Sequence, residues 1–265
     1  MTVAIFHISF YKFVALRDPH AVAAHLRLLA SELQGSVLVA EEGINGVLAG
    51  SADALNAFES ALQEDERFVG IAFKRSACKT PPFARLKVHV KPEIVSVGVK
   101  GGGASADTRV SPAQWRELIA QDNVVVLDNR NRFEYRLGRF SQAVDPGVTN
   151  FRDFPRYVQA HADEWKAAGK TVAMYCTGGI RCEKTSVWMR DLGLQVRELD
   201  GGILNYFQML PDADRDWQGE CFVFDNRVAL NTRLQETDTT AEQVYADEPD
   251  GEWRLQRARR LDAAR

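Results

Sequence analysis

The chain has 265 residues, enough for two ordinary domains and a tail, with 45% apolar side chains and a formal net charge of −3. That balance marks no dedicated polyanion binder, and no stretch approaches the ~18 consecutive apolar residues of a membrane span. Cysteines at 78, 176, 182 and 221 form no CxxC pair and no disulfide-scaffold spacing. The N-terminus lacks the basic region and cleavage site of a signal peptide, so a reducing, cytoplasmic setting is expected.

Residues 1–100 read as one α/β unit. Val3–Phe10 alternates as a strand, and Asp18-Pro19 opens a helical pattern running to Ala30. Ser36–Ala40 and Gly46–Leu48 are strand segments around Glu41-Glu42-Gly43-Ile44-Asn45, and Ser51 is placed to cap a helix ending near Leu62. Ile71–Lys74 and Arg85–Val97 supply later strands. This order suggests a ferredoxin-like α+β sandwich. Gly101-Gly102-Gly103-Ala104-Ser105 then reads as a flexible linker.

Residues 107–215 alternate strands and helices as a parallel α/β domain does. Ser111-Pro112 with Gln114 is a helix start: a capping serine, proline in the first turn and glutamine at the third position. Val124–Leu127 is a continuous apolar run ending at Asp128, as expected of a central parallel strand. Asp153–Ala168 is helical in pattern, Lys170–Tyr175 is the next strand and Val196–Leu199 another. Residues 216–265 read as a C-terminal extension and mobile tail: 236–252 holds seven acidic residues and no basic one, and 253–265 holds five arginines.

Between the strand ending at Tyr175 and the helical pattern from Glu183 lies Cys176-Thr177-Gly178-Gly179-Ile180-Arg181-Cys182. A thiol at such a strand-to-helix turn meets free backbone N–H groups and the positive end of a helix dipole, which favour the thiolate. The glycines let N–H groups curl inward, and Arg181 adds a fixed charge. Cys176 and Arg181 are separated by four residues. That spacing resembles the active-site loop of the rhodanese superfamily, whose members carry sulfur on the cysteine, rather than the loop of the related phosphatases, which is one residue longer to take a tetrahedral phosphate. Cys182, at the start of the helix, is placed either to resolve an oxidised Cys176 as a disulfide or simply to pack in the first turn. No histidine or further cysteine completes a metal shell around the pair, and no metal site is expected.

These stretches resemble the rhodanese superfamily. Asp128-Asn129-Arg130-Asn131, Glu134-Tyr135 and Gly138 match its D-x-R-N-x-x-E-Y-x-x-G pattern, and Cys176–Lys184 with Asp200-Gly201-Gly202-Ile203 matches its active loop and following turn. Tyr11-Lys12-Phe13, Glu41–Gly46, Phe83–Lys91 with Glu93-Ile94-Val95, and Gly219–Val228 narrow the resemblance to the bacterial tRNA uridine(34) hydroxylases with a rhodanese domain. The resemblance covers roughly residues 3–230. It implies oxygen-dependent formation of 5-hydroxyuridine at the wobble position of tRNA, with Cys176 as reactive centre. It also implies an anticodon-loop partner, and dioxygen with an unidentified reductant rather than any cofactor evident in the sequence. Asn129 stands where many rhodaneses have a small apolar residue. The cysteine-rich segment that follows Phe-Asp-x-Arg-Val in longer relatives is replaced by a cysteine-free tail.

Six basic residues and no acidic one lie between Lys74 and Lys91. Lys79, Arg85, Lys87 and Lys91 are candidate phosphate ligands, with Phe73, Phe83 and His89 interleaved as possible stacking groups. The same residues would equally make a strand pair with a solvated basic face. Glu41, Glu42 and Asn45 allow acid/base work or base reading, or merely a tight turn at Asn45-Gly46. The alternative activity is a rhodanese-type sulfurtransferase carrying a persulfide on Cys176.

Overall fold

The computed structural model describes residues 4–79, 81–103 and 106–262. It divides into two units. One comprises residues up to Val95, with Phe224–Arg227 and the stretch from Gln256 onward; the other comprises Ser96–Val223 with Val228–Leu255.

The first unit runs β1 (Ile5–Phe13), α1 (Pro19–Leu29), β2 (Gln34–Ala40), β3 (Gly43–Gly50), α2 (Ala52–Gln63), β4 (Phe73–Cys78) and β5 (Leu86–Val90). The sheet order β4-β1-β3-β2 is that of the ferredoxin-like sandwich, with β5 added parallel to β2 at the far edge. Period-two alternation in β1 sends Ile8 and Phe10 inward against Val37, Val39, Ile44 and Leu48, where α1 and α2 contribute Leu26 and Phe58. Both helices begin where side-chain chemistry satisfies their free N–H groups. Asp18 accepts from Ala21 N–H at 2.9 Å, and Ser51 accepts from Ala54 N–H at 3.2 Å.

The start expected at Val3 lies outside the described residues. Glu41 and Glu42 alone form the β2–β3 connection, since Ala40 pairs with Gly43. Asn45 is therefore a strand residue and not part of a turn. Its amide donates to the Ile94 carbonyl at 3.1 Å, and Glu42 Oε1 accepts from the Ile94 N–H at 2.9 Å. Both side chains pin the segment after β5.

The second unit runs β6 (Arg109–Val110), α3 (Pro112–Ile119), β7 (Val124–Asp128), α4 (Arg132–Leu137), β8 (Gly138–Phe140), β9 (Ala143–Val144), α5 (Phe154–Ala167), β10 (Thr171–Tyr175), α6 (Ile180–Asp191), β11 (Gln195–Leu199) and α7 (Gly202–Met209). It continues through β12 (Trp217–Gly219), β13 (Cys221–Phe222), β14 (Ala229–Leu230), α8 (Ala241–Tyr245) and α9 (Gly251–Asp262), the last crossing into the first unit's residues. Its main sheet, β6-β11-β10-β7-β9, is parallel throughout with β10 at its centre. Ser111 and Gln114 close the expected capping box on α3.

Two expectations are corrected. The Gly101–Ser105 stretch is not a free linker at its start, because a Cβ on Gly101 would run into the Lys184 carbonyl oxygen; Ala104 and Ser105 lie outside the described residues. Apart from Phe224–Arg227, the extension and tail are part of the second unit as far as Leu255. Trp217–Gly219 pairs with Phe140–Gly138, and Val244 and Tyr245 pack with Phe133 and Phe222. The acidic stretch is matched by arginines: Arg136 pairs with Asp247 at 2.8 Å and Glu248 at 3.0 Å, while Arg254 pairs with Asp250 at 2.8 Å and donates to the Thr149 carbonyl at 2.7 Å. Paired charge does not repel itself into solution, which is why composition alone misread this segment.

Candidate active site

Cys176 directly follows β10, at the carboxyl end of the central parallel strand, where open α/β sheets collect their sites. Its root is a buried ionic cluster. Asp128 and Arg130 are both 0% exposed and paired, Nε to Oδ1 at 2.9 Å and Nη2 to Oδ2 at 2.6 Å. Tyr175 donates its phenol to Asp128 Oδ2 at 2.6 Å, and the Arg130 guanidinium, which also donates to the Gly138 carbonyl at 2.6 Å, lies over the Tyr175 and Trp217 rings. A buried carboxylate is tolerated here because cation and hydrogen bonds satisfy it together.

The loop then turns tightly enough to aim its N–H groups at sulfur. Gly179, the residue before α6, takes φ +98°, a left-handed conformation that glycine adopts without steric cost. Its N–H donates to Cys176 Sγ at 3.1 Å. Burial alone would push the buried Cys176 thiol up. A hydrogen bond from the Cys182 side chain, the Arg181 charge and the backbone N–H groups of Cys182 and Arg181 outweigh it and bring the thiol down to about 6. The thiolate is therefore the main form at neutral pH. Cys182 shifts the opposite way, pushed well up by burial and by donating to Cys176, so it remains a thiol. Cys221, pushed up to about 12 chiefly by burial, is an inert packed cysteine.

The three residues expected to act together, Cys176, Arg181 and Cys182, are brought together. Arg181 has a further partner. Its Nη1 donates to Glu134 Oε2 at 2.9 Å, and its guanidinium lies 5.6 Å from the Phe151 ring centroid. Glu134 stands in the D-x-R-N-x-x-E-Y stretch, but nothing local shows that it closes on a residue 47 positions away. Asp200-Gly201-Gly202-Ile203 likewise proves to be a clamp. The N–H groups of Ile203 and Leu204, in the first turn of α7, donate to the carbonyls of Cys176 at 3.0 Å and Thr177 at 3.2 Å.

Gly202 sits at φ +68°, and a Cβ there would collide with the carbonyl oxygens of Cys176 and Thr177 and with Gly179 N. Gly202→Ala is accordingly expected to displace the loop, destabilise the protein by about 2 kcal/mol or more and return the Cys176 thiol toward its ordinary titration range. Iodoacetamide alkylation of Cys176 across pH, alongside thermal melting, checks this.

Lys79, Arg85, Lys87 and Lys91 all belong to the first unit. Lys79 and Arg85 flank the connection between β4 and β5, Lys87 lies in β5 and Lys91 follows it. Lys79, Arg85 and Lys91 are exposed and Lys87 is half-buried. The basic run is not a strand pair. β4 and β5 occupy opposite edges of a five-stranded sheet, about 19 Å apart at ordinary strand spacing. On β4, Arg75 pairs with Glu59 at 2.8 Å and Phe73 packs on Phe10 and Phe58, while Phe83, in the connection between β4 and β5, stacks on His7. Of the three aromatic candidates His89 is exposed, and Phe73 and Phe83 are half-buried. Among the described residues no group of three or more His, Cys, Asp or Glu is placed to hold a metal ion, and no helix is long and apolar enough to cross a membrane.

Two family models match the chain. One, described as a UPF0176 acylphosphatase like domain, covers residues 5–94, and one described as a rhodanese-like domain covers residues 111–208. A protein of Legionella pneumophila (strain Corby) named tRNA uridine(34) hydroxylase is 42% identical over 231 residues, 85% of this chain and 90% of its own length. A Synechococcus elongatus protein of the same name is 46% identical over 233 residues, 86% of each chain.

Proposed function

The chain belongs to the tRNA uridine(34) hydroxylase family, and we propose that it hydroxylates uridine 34 of tRNA at C5, with Cys176 as the reactive group. The observation that carries this reading is a thiol held as thiolate by N–H groups, a second thiol and an arginine at the end of a central strand. The reaction replaces C5–H by C5–OH. Dioxygen supplies the oxygen atom, a reductant supplies two electrons, and the second oxygen leaves as water with two protons. The thiolate adds to C6 and breaks the C5=C6 double bond, making C5 electron-rich toward the oxidant. Loss of the C5 proton then restores the double bond and expels the thiolate. Cys176 is 1% exposed, so the loop must open toward the base, a movement that the Gly178-Gly179 pair permits.

The RNA partner is the anticodon loop, and the setting is the cytoplasm. Nucleoside mass spectrometry of tRNA from a strain lacking this gene, with and without the gene restored, tests the reading. Loss of 5-hydroxyuridine and its restoration are expected. Loss of a thiolated nucleoside instead would make the protein a sulfurtransferase, and no change would overturn both activities.

Lys79, Lys87 and Lys91 would bind phosphates. Neutralising all three should weaken binding to tRNAs of different anticodons by similar factors and flatten the log affinity versus log salt slope, by about 0.7–0.9 for each phosphate left unneutralised. Binding isotherms at several salt concentrations measure this. An unchanged slope would return these lysines to a solvated surface.

A further inference from the structure

Glu134 lies on α4, outside the cysteine loop, and its carboxylate is 0% exposed. Oε2 accepts from Arg181 at 2.9 Å and from the Asn131 N–H at 3.1 Å, while Oε1 has no hydrogen-bond partner among the described residues. Arg181 Nη1 also reaches the Asn129 carbonyl at 3.4 Å. One guanidinium therefore serves two anions: it pairs with the Glu134 carboxylate, and its charge helps to bring the Cys176 thiol down. The other charged groups around the loop are engaged with partners of their own. Asp128 pairs with Arg130 and Glu183 with Arg109, while Glu198, pushed up to about 7 chiefly by burial, accepts from Thr108 at 2.7 Å. Cys182 is a neutral thiol.

Resting on Cys176 as the reactive centre, we propose that Glu134 is a positioning residue that clamps the Arg181 guanidinium and shares its charge, so that the thiolate is stabilised only in part. The sharing has a chemical purpose. A thiolate's nucleophilicity falls as its basicity falls, and the best attacking thiol titrates near the ambient pH. A cation given wholly to Cys176 would make a more abundant but weaker nucleophile.

Glu134→Gln tests this, because the amide keeps the shape and an oxygen for Arg181 but carries no charge. Alkylation of Cys176 by iodoacetamide is followed across pH on the full chain, with mass spectrometry separating Cys176 from the other cysteines. The midpoint is expected to fall by about one pH unit or more, and the plateau rate by about threefold. A midpoint that stays in place or rises overturns the proposal, since a merely structural role would not lower it. Glu134 also accepts from the α4 N-terminus, so Glu134→Met, uncharged and similar in length, carries the same expectation should the glutamine variant fail to melt cooperatively. The readout is independent of hydroxylation. Unchanged nucleosides in the deletion strain would overturn the activity while leaving this electrostatic result to stand or fall by itself.

Discussion

Cys176→Ser is expected to lower uridine hydroxylation by at least about 10³-fold while leaving the fold intact. The serine oxygen still receives the Gly179 N–H, so the loop keeps its local hydrogen bond. A hydroxyl does not ionise in this environment near neutral pH, however, whereas the thiol is brought down to about 6. The wild-type rate should accordingly fall as pH drops through about 6, as the thiolate is protonated. The same shift has a stability consequence whose sign is opposite to that of a raised histidine or lysine. A depressed acid contributes its full stabilisation above its unfolded value, about 8.5 for a thiol, and loses it as pH falls through the folded value. Wild type and Cys176→Ser should thus melt within a few degrees of each other at pH 6 and diverge at pH 9, with the serine variant the less stable. Hydroxylation assays and melting at the two pH values decide the matter. A folded serine variant with normal turnover would remove Cys176 from the chemistry.

The largest stability loss is expected from Arg130→Met. It leaves the Asp128 carboxylate, 0% exposed, without its cation. Breaking one side of a buried pair costs about 3–5 kcal/mol, because the remaining charge has neither partner nor solvent. For a unit of this size that is a drop in melting temperature of roughly 10 °C. Because Tyr175 donates to the same carboxylate and immediately precedes Cys176, thiol reactivity should decline along with stability. Replacing both partners together, Asp128→Leu with Arg130→Met, should recover much of the loss, since no orphaned charge remains. Denaturant unfolding of the two variants measures the difference. If the single variant were as stable as wild type, the cluster would not be the anchor of the loop.

Much of this architecture is written in short-range patterns. The caps at Asp18, Ser51 and Ser111, the apolar run Val124–Leu127 and the strand–cysteine loop–helix from Thr171 to Asp191 are each decided within about a dozen residues by turn chemistry, periodicity and helix-end electrostatics. That is why both α/β units and the grouping of Cys176, Arg181 and Cys182 were legible from residue order. The pairing of Glu134 with Arg181, the clamp of Ile203 and Leu204 on the loop carbonyls, and the pinning of Ile94 by Glu42 and Asn45 were not. Each joins segments far apart in the chain. A linear run of lysines and arginines says nothing of sheet order, and β4 and β5 were sent to opposite edges. Nor does an acidic stretch announce that Arg136 waits for Asp247 and Glu248. Local signals carry conformation because backbone sterics and nearest hydrogen bonds are local. Charge pairing, burial and the sharing of one guanidinium between two anions depend on which surfaces the folded chain brings within a few ångströms, and only tertiary packing decides that.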